Sequence, residues 1–251
     1  MFNYKVATFD NVAGKVATLK EIGVDGSFGS AYLNFLNPNG TTKKFDIPEI
    51  IAEGGEGVAG FMYINEDDAK EAELEGPGWY YADGEYTGAY YPFNDLELPF
   101  GSMFYIDGVE SDANVIASGV VVSEAQPIDV LTANMFNYTG NCSPVEVSLG
   151  DVGVSETFGS AYLNFLNPNG TTKKFEIPEI IAEGGEGVAG FMYINEDDAK
   201  EAELEGPGWY YADGEYTGAY YPFNTLKVGA GEMFYIDGVE ADAQVIIPSA
   251  L

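Results

Sequence analysis

Arginine and histidine are absent from this chain, and cysteine occurs once, at Cys142. Without histidine there is no Ser-His-Asp triad, no Cys-His zinc site and no imidazole proton shuttle. One cysteine can form neither an internal disulfide nor a four-cysteine metal site, and a thiol without a histidine partner reads as a buried side chain rather than a nucleophile. Ten lysines are the whole basic complement, set against 41 acids for a net charge of −31. Nucleic-acid binding needs a clustered cationic footprint, so this balance speaks against nucleic acid as a partner, and against anionic membrane surfaces. No apolar run approaches the roughly 18 residues a membrane helix needs, so membrane insertion is not expected. Lys5, Asp10, Lys15 and Lys20 interrupt the N-terminal stretch where a signal peptide would carry its apolar core. The expectation is a processed mature chain, extracellular or at a cell surface, with the cytoplasm as the alternative.

The apolar complement is ample for packed cores: 46% of residues are hydrophobic, with 16 Phe and 18 Tyr, and 32 glycines supply turns. The acidity has three readings, of which solubility on a crowded surface is the simplest. A salty habitat is the second, and binding of hard cations such as Ca²⁺ is the third.

The dominant feature is an internal repeat. Residues 28–94 return at 158–224, and 66 of the 67 positions are identical, the exception being Asp46 against Glu176. The match continues from MFYIDGVESDANVI (103–116) to MFYIDGVEADAQVI (233–246), and MFNY at 1–4 recurs at 135–138. A period of 130 residues is too long for a solenoid unit and suits tandem globular domains. The expected division is 1–118 and 135–251, with 119–134 either a linker or the first strand of the second repeat. If that strand belongs to the second repeat, the first begins without its counterpart. A neighbouring subunit could then fill the gap by strand complementation.

Short apolar segments separated by turn signals predict an all-β chain: two tandem β-sandwich domains, jelly-roll-like, each with one short helix. SAYLNFL and TTKKFDI flank Asn39-Gly40, a hairpin signal. VAGFMYI (58–64), GWYYA, TGAYYPF and SMFYIDG (102–108) read as strands, with Asp83-Gly84 as a turn, and DANVIASGVVV (112–122) follows. The helix is placed after Asn65, a capping residue, where Glu66, Asp67 and Asp68 suit the positive end of the dipole. Gly76 and Pro77 are its expected stop.

Candidate sites follow from residue type. Asp107 and Asp112, with Asp237 and Asp242, flank a loop after a strand and are the candidate Ca²⁺ ligands, a solvated loop being the competing reading. Glu66-Asp67-Asp68 lacks the spacing of a calcium loop and is better explained by helix capping. The aromatic strands supply candidate interface residues Trp79, Tyr80 and Tyr90, with Trp209, Tyr210 and Tyr220. Such residues also serve as core, or as platforms for sugars. Carboxylate pairs able to hydrolyse glycosides must arise among so many acids, but no spacing singles one out. Asn39, Asn137, Asn141 and Asn169 open Asn-X-Ser/Thr tripeptides of the kind that accept glycans.

The run of a Phe-Leu-x-Pro-x-Gly hairpin, GFMYIN, an acidic helix, GWYY and PFGSMFYIDG resembles the tandem-repeat β-domains of large secreted surface proteins from the verrucomicrobial group of bacteria. That resemblance implies an exported, non-enzymatic β protein and supplies no functional residues. The near-identical repeat, the strand missing from the first repeat and the aromatic strands favour a self-assembling structural subunit of an extracellular or cell-surface fibre, sheet or shell whose main partner is itself. A bivalent carbohydrate-binding module is the alternative, with glycans as partners.

Overall fold

The computed structural model describes residues 3–6, 17–24, 28–29, 31–99, 101–109, 115–117 and 125–249. The chain divides into two compact units, 1–37 with 41–121, and 38–40 with 122–251. The all-β expectation holds: extended strands in antiparallel sheets dominate, and the α-helices are short.

Each unit is built on one six-stranded sheet. In the first unit the spatial order is Asn3–Val6, Met103–Asp107, Tyr32–Phe35, Phe61–Ile64, Gly78–Ala82, Tyr90–Pro92. In the second it is Phe136–Gly140, Met233–Asp237, Tyr162–Phe165, Phe191–Ile194, Gly208–Ala212, Tyr220–Pro222. The registers repeat: Tyr32 opposes Met62 and Tyr162 opposes Met192. Asn3 opposes Ile106 as Asn137 opposes Ile236, so the recurring MFNY tetrapeptide marks the same edge strand in both. Four strands of each sheet form a meander whose turns carry Gly and Asp, and the late strand Met103–Asp107 inserts between the first strand and the meander.

One face of this sheet is the core. Leu33, Phe61 and Ile106 lie side by side across three strands, joined by Phe35, Phe104 and Trp79. Phe35, Phe45, Phe61 and Phe93 form a chain of aromatic contacts, with Phe61 and Phe93 centroids 4.3 Å apart. The indole of Trp79 is fully buried between Phe28 and Tyr63, at centroid distances of 5.6 and 5.4 Å. Its Nε1–H donates to the carbonyl of Ile22 at 2.8 Å. Trp209 repeats this with Phe158, Tyr193 and the Val152 carbonyl. A buried indole N–H must find an acceptor, and the segment carrying Ile22 supplies one. Gly78, at φ +150°, is required by the same arrangement, because a Cβ there would stand 2.2 Å from Asn94 Oδ1. That oxygen accepts from the Trp79 backbone N–H at 2.9 Å.

The smaller sheets differ between the units. In the second, Ala243–Ile247 is the middle strand of three, flanked by Gln126–Val130 and Gly153–Val154. Residues 126–130 thus form a strand of the second unit, and the linker reading of that part of 119–134 is corrected. In the first unit the corresponding strand Val115–Ala117 pairs, among the described residues, with Ile22–Val24 alone. Residues 112–114 and 118–124, where further strand was expected, lie outside the described residues.

Two differences from the sequence reading are local. TTKKFDI does not continue as a regular strand: Leu36 bridges Thr42 and Phe45 bridges Val58 as isolated pairs, leaving a short hairpin. Each unit also carries two α-helices rather than one. Pro48–Ala52 and Pro178–Ala182 join the expected Glu66–Glu71 and Glu196–Glu201. Pro48 at the first helical position donates nothing where no partner is available, which suits it to start a helix.

The expected cap is present, since Asn65 Oδ1 accepts the backbone N–H groups of Asp67 and Asp68, each at 2.9 Å. Glu66–Glu71 ends in a Schellman turn, earlier than the Gly76-Pro77 stop. Leu74 N–H donates to Ala69 O at 2.8 Å, Glu73 N–H to Lys70 O at 3.3 Å, and Leu74 packs back on the cluster of Ala69 and Tyr80. The left-handed position of that turn is Glu73, at φ 55°, and Glu203 repeats it at φ 56°. The equivalent position after Pro48–Ala52 is Gly54, at φ 88°. A side chain in this region costs energy, and a negative charge at a helix C-terminus adds to the cost. Glu73→Gly and Glu203→Gly should therefore each stabilise their unit by about 0.5–1 kcal/mol. In thermal unfolding each should raise the midpoint by a few degrees, and a lower midpoint would overturn the assigned strain.

Candidate functional site

The concave feature repeated in both units is a groove beside the acidic helix. In the second unit it encloses about 960 Å³ and in the first about 440 Å³. Every residue lining the first groove has its counterpart, 130 positions on, in the second. The shared wall is Phe28, Met62, Tyr63, Asn65, Asp68 and Tyr90 in the first, and Phe158, Met192, Tyr193, Asn195, Asp198 and Tyr220 in the second. The strand Phe61–Ile64 runs straight into the capping asparagine, so one segment delivers both the apolar wall and the carboxylates. Tyr90 and Tyr220 stand at the rim with 42% and 41% of their surface exposed. The second groove adds Glu156 and Glu240 to Glu196, Asp197 and Asp198. Glu156 replaces Gly26 of the first repeat.

The six aromatic interface candidates separate sharply. Trp79 and Trp209 are fully buried and Tyr80 and Tyr210 nearly so, each inside its own unit, so these four are corrected from interface to core. Tyr80 lies on the opposite sheet face from Phe61, but Ala69 of the acidic helix covers it together with Ile64, and its hydroxyl donates to Gly76 O at 2.7 Å. Of the six, only Tyr90 and Tyr220 present a ring to solvent.

The calcium candidates have separate partners. Asp107 accepts from Asn34 Nδ2 at 3.3 Å, and Asp237 from Asn164 Nδ2 at 3.2 Å. Asp242 accepts from the backbone N–H and hydroxyl of Thr132 at 2.8 and 2.9 Å. Burial raises the Asp237 carboxyl above the usual range, although its bond to Asn164 works against this, whereas the Thr132 donors lower Asp242. Asp112 lies outside the described residues. Among the described residues no three Asp, Glu or Cys side chains gather as a metal-holding group.

Asp83-Gly84-Glu85 is a turn, as expected, with an unusually well-satisfied carboxylate. Asp83 Oδ1 accepts from the backbone N–H groups of Glu85 and Tyr86 at 3.1 and 3.2 Å, while Oδ2 accepts the N–H and hydroxyl of Thr87, the hydroxyl at 2.6 Å. These donors hold the carboxyl far below its ordinary range, the Thr87 hydroxyl first among them. Asp213 repeats the arrangement with Thr217. The carboxylate fixes the turn and has no free lone pair aimed at a substrate.

Cys142 is fully buried, its thiol donating to Gly140 O at 3.4 Å, and burial pushes it up to about 12. At neutral pH it is neither thiolate nor exposed, which removes it as a nucleophile. Asn137 and Asn141 are also buried. Asn141 Nδ2 donates to the carbonyls of Val145, Val228 and Gly229, so these two tripeptides are closed to modification in the folded unit, unlike exposed Asn39 and Asn169.

The groove's half-buried wall of Met62 and Tyr63 is not marked by the sequence, since apolar residues in short strands carry no sign of which ones stay partly uncovered. No helix among the described residues is long and apolar enough to cross a membrane. No protein family, curated protein or solved structure matches this chain.

Proposed function

We propose that this chain is a non-enzymatic, self-assembling structural subunit of an extracellular or cell-surface fibre, sheet or shell. The unequal small sheets carry the reading. In the second unit Gln126–Val130 pairs along the full length of Ala243–Ile247. The matching strand of the first unit, Val115–Ala117, has one neighbour among the described residues. Where the second edge of that strand is open, its row of backbone donors and acceptors is a template for a strand of another subunit. A contact made by one surface on a different surface gives a ring when its rotation closes and a filament when it does not. Size-exclusion chromatography with light scattering, followed by negative-stain electron microscopy, tests this. Ordered fibres, sheets or shells are expected from the purified chain, and dispersed 27.0 kDa monomers under every condition would overturn it. Loss of order on adding EDTA would add a calcium role.

The second reading is a bivalent binding module, with glycans as the ligand first considered. It is favoured by the recurrence of the same groove, with an exposed tyrosine at its rim, in both units. Two equal sites on one chain gain through effective concentration when a ligand can reach both. A module of this kind would stay small in solution and be retained on an immobilised glycan.

A further inference from the structure

We propose that the hairpin tip Pro168–Gly170 docks on the edge strand Asn3–Val6 of a second copy of this chain. The inference rests on the self-assembly reading and deepens it by naming the two surfaces that meet. The second unit already contains one instance of the contact. It includes Pro38–Gly40, the hairpin tip of the first repeat, together with its own edge strand Phe136–Gly140. Within that unit the Tyr138 N–H donates to the Pro38 carbonyl at 2.8 Å. Gly40, at φ +79°, lies so close to the Tyr138 ring that a Cβ there would overlap it. The outward backbone groups of an edge strand are a natural template for such an addition.

Both surfaces recur. Residues 37–41 and 167–171 share the sequence NPNGT. Asn37 N–H donates to Thr41 O at 2.8 Å and Asn167 N–H to Thr171 O at 2.7 Å, and Gly170 has φ +81°, so the two tips have one shape. Asn3–Val6 is outermost in the first six-stranded sheet, as Phe136–Gly140 is in the second. Tyr4 opposes Tyr105 as Tyr138 opposes Tyr235. Along an edge strand of an antiparallel ladder, successive N–H groups alternate between the partner strand and the open side. Tyr138 turns its N–H outward to Pro38, and the matching register turns the Tyr4 N–H outward too. Among the described residues, the Pro168 carbonyl accepts no backbone donor, and Asn3–Val6 has no strand on its second side. The observed pair is the tip of one repeat on the edge strand of the next. Carried forward from the second repeat, the same pair reaches the first repeat of another copy. The two surfaces differ, so the contact is heterologous. It is also small, which makes it weak and dependent on protein concentration.

Sedimentation velocity of the purified full chain over a rising concentration series tests the proposal. The average mass is expected to climb above 27.0 kDa with concentration. Gly170→Asn keeps a residue that tolerates positive φ but adds the Cβ that Gly40 shows to be excluded. Tyr4→Pro removes the outward N–H at an edge position where proline is tolerated. Each should weaken association about tenfold, through a lost hydrogen bond and a lost ring contact respectively blocked or removed. Gly184→Asn is the matched control, since Gly184 has φ +89° and open space around it, and it should associate like the parent. Mixing the two defective variants should restore one contact and stop at dimers, because Tyr4→Pro keeps an intact tip and Gly170→Asn an intact edge. Circular dichroism melts would establish that the variants are folded, and either folded variant alone suffices. If the parent assembles and the folded variants assemble equally well, or the mixture forms no dimer, this contact is overturned while the self-assembly reading stands. A parent that stays monomeric at every concentration overturns both.

Discussion

Replacing Trp209 by alanine should destabilise the second unit by about 3–5 kcal/mol, the range for deleting a large aromatic from a packed core. The indole is fully buried, its edges and faces meet Phe158 and Tyr193, and its N–H reaches the Val152 carbonyl at 2.8 Å. The deletion thus opens a cavity and orphans a buried acceptor. Against a typical domain stability of about 5–15 kcal/mol, the loss is a large share of the whole. Trp209→Phe separates the two contributions: the ring volume is largely kept, so the remaining loss, about 1–3 kcal/mol, reports the unpaired carbonyl. Urea unfolding followed by circular dichroism would measure both. Trp79→Ala should do the same to the first unit through the Ile22 carbonyl. If either alanine variant unfolded at the parent's midpoint, the tryptophans would not be the centres of these cores.

The second large effect concerns acid. Asp83 and Asp213 sit well below the ordinary carboxylate range because each accepts bonds from three backbone N–H groups and a threonine hydroxyl, that hydroxyl contributing most. For a carboxyl whose folded value is depressed, the stabilisation is present above the unfolded value near 4. It is lost as pH falls through the folded value, which for Asp213 is about 2. Stability should therefore drop between about pH 4 and pH 2. Above that window the trend reverses. Partial protonation of the acidic surface relieves the self-repulsion of a chain at −31, and Asp237, raised by burial, also favours the folded form as it protonates. The optimum is expected on the acid side of neutrality.

Asp83→Asn with Asp213→Asn should flatten the acid limb. At neutral pH it should lower the unfolding midpoint by about 5 °C or more, since the new amide turns a donor toward the Thr87 or Thr217 donors. A pH series of thermal melts on parent and double variant reads both effects. An unchanged acid limb in the variant would show that other carboxylates govern acid unfolding.

Much of this architecture could be read from residues. The 130-residue repeat marked the two units, Asn39-Gly40 and Asp83-Gly84 marked real turns, and Asn65 with the acids behind it marked a capped helix. The misses have physical causes. Pro48–Ala52 is one turn of helix, too short for a periodic apolar pattern, although Pro48 as its first residue and Gly54 after it are its start and stop signals. Tyr80 shows why alternation alone does not assign burial. Adjacent Trp79 and Tyr80 point to opposite faces of the sheet, yet both are buried, because the acidic helix folds back over the outer face. The tyrosines at the groove rims, Tyr90 and Tyr220, escape that cover, a fact of tertiary structure that strand composition does not carry.

The matched registers of the two sheets have a kinetic side. In the unfolded chain, Tyr32–Phe35 meets two partners of the same sequence, Phe61–Ile64 and Phe191–Ile194, and local energetics cannot tell them apart. Only chain connectivity and the few unlike pairs discriminate. Thr18 belongs opposite Glu97 and Ser148 opposite Lys227, so a cross-mated ladder would put Lys227 beside Thr18 and Glu97 beside Ser148. Proximity along the chain favours correct mating through the smaller loop-closure entropy, but the advantage grows only logarithmically with separation. Strand exchange between the repeats, and between molecules at high concentration, is therefore a trap built into the same near-identity that makes the two units equivalent.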